Sequence, residues 1–258
     1  KCALQNQDRE NLINLLIRNI DLFATRLDQL PGSNILEVKL ELTSNQPFRN
    51  RNFRSTAAER DEITRQLNQM EKANIIEKAD TPYASSYFLV DKAGGRGKRL
   101  VHDLRRLNGL VVKKFWPLPT QKEIEDSLAE AQAVVWSSID LHSGFWQLSL
   151  EKESRDCTGF NHNNTNYRFC RLPMGAATSP AWFQKAMTKT FSGIKMSSVI
   201  VYQDDVLISG RNANDLLEKM KEDFLRLRQV QWRMHPAKCF WGVDRVKFLG
   251  FIWDKNGM

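Results

Sequence analysis

Tyr202-Gln203-Asp204-Asp205 constrains this fold most tightly: two adjacent carboxylates lie between the apolar runs Ser198-Val199-Ile200-Val201 and Val206-Leu207-Ile208. Such runs on either side of a short polar pair predict a β-hairpin whose tight turn presents the acids. Adjacent aspartates repel one another, so a chain that pushes both out of a sheet has to neutralise them. Oxygen-only ligands suit Mg²⁺, with Mn²⁺ as the alternative. An ordinary solvated Asp-Asp turn is the competing reading of these four residues. A third acid, Asp140, closes another apolar run, Val134-Val135-Trp136-Ser137-Ser138-Ile139. If that run is a strand beside the hairpin, Asp140, Asp204 and Asp205 converge at one end of an antiparallel sheet. Two metals held there roughly 3.5–4 Å apart clamp the attacking and leaving oxygens of a phosphoryl transfer. The reaction class predicted is nucleotidyl transfer.

The 258 residues are 41% hydrophobic and 26% charged, enough for a sizeable core. No apolar run approaches the ~18 residues that span a bilayer, so no membrane partner is expected. Lys1-Cys2-Ala3-Leu4 lacks the hydrophobic segment expected of a signal peptide, and a start without Met reads as a piece of a longer polypeptide. Net charge is +8, with Lys92, Arg96, Lys98, Arg99, Arg105, Arg106, Lys113 and Lys114 crowded into one stretch. A polyanion is the partner this implies, against the alternative of a merely basic surface. Cys2, Cys157, Cys170 and Cys239 show no CxxC spacing and read as buried free thiols of a reducing compartment. His162 with Cys157 and Cys170 matches no usual zinc spacing, and His102, His142 and His235 are unclustered in sequence.

Helical periodicity predicts an amphipathic helix over residues 9–23, through Leu12, Leu15, Leu16, Ile20 and Phe23. A half-exposed strand follows within 35–42. Thr56 with Glu59, and Thr120 with Glu123, read as capping boxes that open helices. Tyr87–Val90 and Lys98–His102 form an expected hairpin around Gly94-Gly95-Arg96-Gly97. Short strands are expected at Trp146–Leu150, Cys157–Phe160 and Tyr167–Arg171. A helix capped at Thr178-Ser179-Pro180 runs through Phe183, Met187 and Phe191, and another begins near Asn214. Cys239–Trp241 and Val246–Trp253 read as paired strands around Gly242-Val243-Asp244. No repeat or linker divides the chain.

Ordered blocks now resemble the reverse transcriptases of long-terminal-repeat retrotransposons, the gypsy class above all, over residues 35–258. They are Ser85-Ser86-Tyr87-Phe88-Leu89-Val90-Asp91-Lys92, Arg99-Leu100-Val101-His102-Asp103-Leu104-Arg105-Arg106-Leu107-Asn108, and Ser138-Ile139-Asp140-Leu141-His142-Ser143-Gly144-Phe145-Trp146-Gln147. Leu172-Pro173-Met174-Gly175, Ser179-Pro180-Ala181-Trp182-Phe183-Gln184, Tyr202-Gln203-Asp204-Asp205 and Val246-Lys247-Phe248-Leu249-Gly250 follow in order. Each block is weak alone, but together they are specific.

The resemblance implies an α+β right-hand polymerase: an antiparallel palm sheet backed by helices, with a fingers subdomain. Its divisions would be an N-terminal helical extension (1–34), fingers (35–115 and 148–178) and palm (116–147 and 179–258), cut before the thumb. It implies template-directed DNA synthesis from deoxynucleoside triphosphates on RNA or DNA, with two Mg²⁺ ions on Asp140, Asp204, Asp205 and the carbonyl of Leu141. Lys92, Arg99, Phe145 and Met174 would touch the nucleotide, Phe145 excluding a 2′-hydroxyl. Met174 stands where retroviral relatives carry glutamine. Pro173, Gly175, Gln184, Tyr202, Gln203, Phe248, Leu249 and Gly250 would touch template or primer, Phe248-Leu249-Gly250 as the primer-gripping hairpin. Asp103 and Arg105 are expected to form a structural pair, against the alternative of direct substrate contact. Partners implied are an RNA template, a DNA primer–template duplex and the other Pol segments: thumb, ribonuclease H and integrase. The setting is cytoplasmic, in a virus-like particle. Without a thumb, synthesis is expected to be weak, salt-sensitive and poorly processive. A palm that binds nucleic acid without polymerising, and a palm-fold RNA polymerase, are the rival readings.

Overall fold

The structure, a computed structural model, describes residues 2–95 and 97–255; Lys1, Arg96 and Met258, which enter the sequence reading, lie outside them. In chain order the helices are α1 (Asn6–Arg18), α2 (Ala57–Lys72), α3 (Arg105–Leu110), α4 (Gln121–Ala131), α5 (Lys152–Arg155), α6 (Ser179–Thr190) and α7 (Ala213–Gln229). The first strands are β1 (Ser33–Val38), β2 (Ile76–Lys78), β3 (Ser86–Asp91), β4 (Lys98–Asp103), β5 (Val135–Asp140), β6 (Leu148–Leu150), β7 (Phe160–His162) and β8 (Thr165–Phe169). After them come β9 (Val199–Tyr202), β10 (Asp205–Gly210), β11 (Phe240–Val243), β12 (Arg245–Phe248) and β13 (Phe251–Asp254). The chain forms two compact units, one of Lys1–Thr25, Trp116–Gly144 and Phe183–Met258, the other of Arg26–Phe115 and Phe145–Trp182.

The first unit is built on an antiparallel sheet ordered β11-β5-β10-β9. Strand alternation gives it two faces. Trp136, Ile200 and Leu207 pack with Ile124 and Leu128 of α4 and with Val246, Phe248 and Trp253 of the β12–β13 hairpin. On the opposite face, the Ser137 hydroxyl lies 3.4 Å from the Met220 sulfur of α7. Helical periodicity along α7 buries Leu216, Met220, Phe224 and Leu227, and α1 packs against this helix. Trp232 is fully buried, edge-on to Phe183, and its indole N–H donates to the Thr190 hydroxyl at 2.9 Å.

The second unit contains the β3–β4 hairpin, the β2-β8-β7 sheet and a parallel β1–β6 pair. Tyr87, Phe160, Tyr167 and Phe169 form an aromatic core around His102. Burial drives the His102 pKa down to about 3, so the ring is neutral there. Both capping boxes form, with Glu59 N–H donating to the Thr56 hydroxyl and Glu123 N–H to that of Thr120, each at 3.2 Å.

Several local expectations are corrected. The first helix stops at Arg18, and Ile20–Leu22 is a 3-10 turn. Gly144–Gln147 and Asp156–Thr158 are likewise 3-10 turns, so the strands expected at Trp146 and Cys157 begin only at Leu148 and Phe160. Local patterning reads residues 246–253 as one strand; they make a hairpin, as the resemblance implies at 248–250, and β11 pairs with β5 instead of β12. Cys2 is exposed and Cys170 half-buried, whereas Cys157 and Cys239 are buried thiols as expected.

Candidate active site

Asp205 lies directly opposite Asp140 across the β10–β5 pair, and opposite Tyr202 across the β10–β9 pair. Gln203 and Asp204 therefore form the two-residue hairpin turn. By alternation Asp140 and Asp205 share the sheet face of Trp136 and Leu207, with Cβ atoms about 5 Å apart for such a pair. The three acids thus meet at one end of the sheet. Burial, then the charges of Asp204 and Asp140, hold the Asp205 carboxyl above its ordinary value, and Lys238 opposes them.

Gln203 has φ +53°, and Asp204 is not among the residues with positive φ. That is the pattern of a II′ turn, which glycine favours at its first central position; a side chain there is strained by roughly 1 kcal/mol. Gln184 offsets the strain. Its side-chain oxygen accepts from Gln203 N–H at 2.7 Å and its amide donates to the Val201 carbonyl at 3.2 Å. Because β9 is an edge strand, these two backbone groups lack a neighbouring strand on that side, and one buried amide replaces it. Gln184 is 3% exposed and braces the turn from beneath.

Asp140 is enclosed by the segment 233–239. Its carbonyl accepts from His235 N–H at 2.9 Å, and its N–H faces the Cys239 sulfur at 3.4 Å. The Lys238 ammonium stands 3.3 Å from both carboxylate oxygens. Leu141 is buried and bridges Met234, but the bonds of that bridge run through Asp140, His142, Arg233 and His235, leaving the Leu141 carbonyl uncommitted by the bridge. His142 stacks on His235 with centroids 5.1 Å apart and planes 8° from parallel, so two histidines distant in sequence become neighbours. Two residues on, a Cβ on Gly144 would lie 2.8 Å from the Phe183 ring, which leaves room for glycine alone. Sequence reasoning missed this collar. Its signal, a Lys-Cys pair after a short Pro-containing turn, has no local periodicity.

Carboxylates at one sheet end, with a backbone carbonyl beside them, suit hard cations that also take oxygens from water and substrate phosphate. The donor class fits. Among the described residues, however, no three His, Cys, Asp or Glu side chains are drawn together into a ready-made cage. Asp140 is turned to Lys238 instead.

The other predicted residues are placed as follows. Lys92 is exposed, its N–H bonded to the Gly97 carbonyl at the β3–β4 tip, and exposed Arg99 pairs with Val90. Phe145 is half-buried in its 3-10 turn. Pro173 is buried and its carbonyl accepts from the Ser179 hydroxyl at 2.9 Å, while Met174 and Gly175 are exposed. Asn108 holds that loop, donating to the Gly175 carbonyl at 2.9 Å and accepting from Ala177 N–H at 2.8 Å. Tyr202 and Leu249 pack at the margin of the α4 core, and Phe248, 3% exposed, is part of it. Leu249 (φ +52°) and Gly250 (φ +88°) form the β12–β13 turn. Asp103 and Arg105 pair in two-pronged fashion, at 2.7 and 2.8 Å.

Residues 90–253 match the family described as reverse transcriptase (RNA-dependent DNA polymerase). The chain is 34% identical over 255 residues to the retrovirus-related Pol polyprotein from transposon 412 of Drosophila melanogaster, covering 97% of this chain and 20% of that protein. It is 29% identical over 247 residues to the corresponding polyprotein from transposon gypsy of the same fly, covering 94% and 24%. The chain thus spans about a fifth to a quarter of these relatives. Among solved structures, the foamy viral protease-reverse transcriptase in complex with RNA/DNA hybrid superposes with a TM-score of 0.89 at 22% identity, over 100% of this chain and 34% of that one. The same protein in complex with dsDNA gives 0.89 at 23%, over 100% and 53%. The fold is therefore that of the palm and fingers of a right-hand polymerase. With the family match covering most of its length and a relative above 30% identity covering nearly all of it, the chain belongs to the reverse transcriptase (RNA-dependent DNA polymerase) family.

Proposed function

We propose that this chain performs template-directed DNA synthesis, joining deoxynucleoside triphosphates to a primer end on an RNA or DNA template. The observation that carries this reading is Asp205 facing Asp140 across paired strands, with Asp204 in the adjoining turn. In the reaction a bond forms between the primer 3′-oxygen and the α-phosphorus, and the bond from that phosphorus to pyrophosphate breaks. Two divalent cations, Mg²⁺ or Mn²⁺, when held by Asp140, Asp204, Asp205 and the Leu141 carbonyl, supply the Lewis acidity and the neutralising charge for this exchange. Gln184 fixes the strained turn that carries Asp204. Lys92 and Arg99 bind the triphosphate as exposed cations on a hairpin. Phe145 excludes a 2′-hydroxyl by its bulk, and Met174 packs against the base. Pro173 and Gly175 act through the loop backbone at the template, while Tyr202, Gln203 and the Leu249–Gly250 turn meet the primer. The net charge of +8 favours a nucleic-acid partner. The remaining Pol segments, thumb, ribonuclease H and integrase, would accompany it in a virus-like particle in the cytoplasm.

The test is primer extension with Mg²⁺ and deoxynucleotides on RNA and on DNA templates, with Asp204→Asn as control. Extension by the natural chain that the substitution abolishes is the expected result. Equal extension by both would overturn the catalytic assignment. The lack of a ready-made cage among the described residues favours one second reading, a palm that binds nucleic acid without polymerising. That reading predicts template binding, no extension by either protein, and no effect of Asp204→Asn on binding.

A further inference from the structure

We propose that Lys238 is an internal counter-cation of Asp140, which a divalent ion has to displace, so that Lys238 sets the metal concentration at which the centre fills. The inference rests on the reading of Asp140, Asp204 and Asp205 as metal ligands.

The geometry is specific. The Lys238 ammonium lies 3.3 Å from each Asp140 oxygen, centred on the carboxylate edge that a cation would approach. Its position is not left to a loose surface chain. Lys238 N–H donates to the His235 carbonyl at 3.1 Å, and His235 N–H in turn donates to the Asp140 carbonyl at 2.9 Å. The next residue, Cys239, is buried with its sulfur against Asp140 N–H. The backbone on both sides of Lys238 is therefore tied to the acid that its ammonium neutralises. Among the described residues, neither Asp204 nor Asp205 forms an ion pair; Lys238 acts on Asp205 only as a nearby charge, while its ammonium is bonded to Asp140.

Exchange is chemically easy. An ammonium is a compact point charge on a flexible stem and lacks the rigid two-pronged grip of a guanidinium. The side chains are 58% and 28% exposed, so solvent screens the pair and its strength is that of an ordinary surface contact. A doubly charged ion can take the carboxylate, and the lysine stem can swing into water. While it remains, the ammonium both occupies the oxygens and repels the incoming ion.

Mn²⁺ binding to the whole chain, followed by electron paramagnetic resonance of the free ion, tests this without any turnover. Lys238→Gln should tighten Mn²⁺ binding about three- to tenfold, the effect expected from removing one positive charge within roughly 5 Å in a solvated setting. Lys238→Arg, which keeps the charge, should bind as the natural chain does or more weakly. Unchanged or weaker binding by Lys238→Gln overturns the proposal, as does equal tightening by Lys238→Arg. Should Asp204→Asn and Asp205→Asn also leave Mn²⁺ binding untouched, the metal-centre reading itself fails and the proposal falls with it.

Discussion

Asp140 and Asp205 are cross-strand partners, and the sheet that pairs them sets two like charges side by side. Like charges directly opposite one another destabilise a strand pair. A fold that keeps them does so at a cost in stability, which cations held there under the proposed function would offset. The cost is measurable apart from the chemistry.

Replacing Asp205 with Asn removes the repulsion while keeping the shape. The substitution should raise the melting temperature by about 1–3 °C, the shift expected for under about 1 kcal/mol at a partly solvated position in a chain of this size. Primer extension should fall by at least about a thousandfold, as expected when several kcal/mol of transition-state stabilisation are lost. Differential scanning calorimetry and extension assays on the same preparation read the two effects. A melting temperature that drops would show that Asp205 is held by favourable contacts rather than strained by its neighbours.

Gln184 makes a prediction of a different kind, because it acts through the turn. Gln184→Leu leaves the half-buried Gln203 N–H and Val201 carbonyl without their partner, at about 1 kcal/mol for each group left unmet. Gln184→Glu keeps an acceptor for Gln203 N–H but loses the donor to Val201. Extension should therefore rank natural chain, then Glu, then Leu, with kcat falling more than KM changes. A role as nucleic-acid contact would instead raise KM for the template.

The fold, and the hairpin of the candidate site, were legible in sequence where their determinants are local. Thr56 with Glu59, Thr120 with Glu123, and the apolar runs around Asp204-Asp205 each fit within a few residues, and all three features form. The braces were not legible. Lys238 reaches an acid 98 positions away, and Gln184 reaches the backbone of a strand on another element. Neither contact leaves a period in the sequence. Local patterning missed the hairpin within 246–253, which only the resemblance implied, because a turn built on Leu249 at positive φ carries an aliphatic residue where Asn or Gly would signal a hairpin. The pairing of β11 with β5 is likewise a long-range register that no local pattern encodes.

Phe145 is a phenylalanine in a 3-10 turn five residues beyond Asp140, half-buried and followed by the fully buried Gln147. If its ring is the barrier to a 2′-hydroxyl, Phe145→Ala should raise incorporation of ribonucleotides relative to deoxynucleotides by about ten- to a hundredfold, the range typical of steric discrimination by a pocket wall. Competition assays with paired nucleotides of the same base measure the ratio directly. A ratio that stays constant while overall activity falls would assign Phe145 to packing.

Asp223 lies on the buried face of α7 with both carboxylate oxygens unpartnered, and it is 1% exposed. Burial, reinforced by the charge of Glu222, pushes its pKa from 3.8 up to about 8. The folded chain therefore holds a proton that the unfolded chain releases near pH 4, and protonation favours folding throughout that window. Stability from this group is complete below about pH 4, declines as pH rises toward about 8, and is gone above that. Urea midpoints measured from pH 5 to 9 should fall with pH in the natural chain, by an amount of the order of a few kcal/mol across the window. Asp223→Asn should flatten most of that slope and be the more stable protein at pH 9. A natural chain whose midpoint rises between pH 5 and 8 would show that Asp223 is ionised and paired in the folded state.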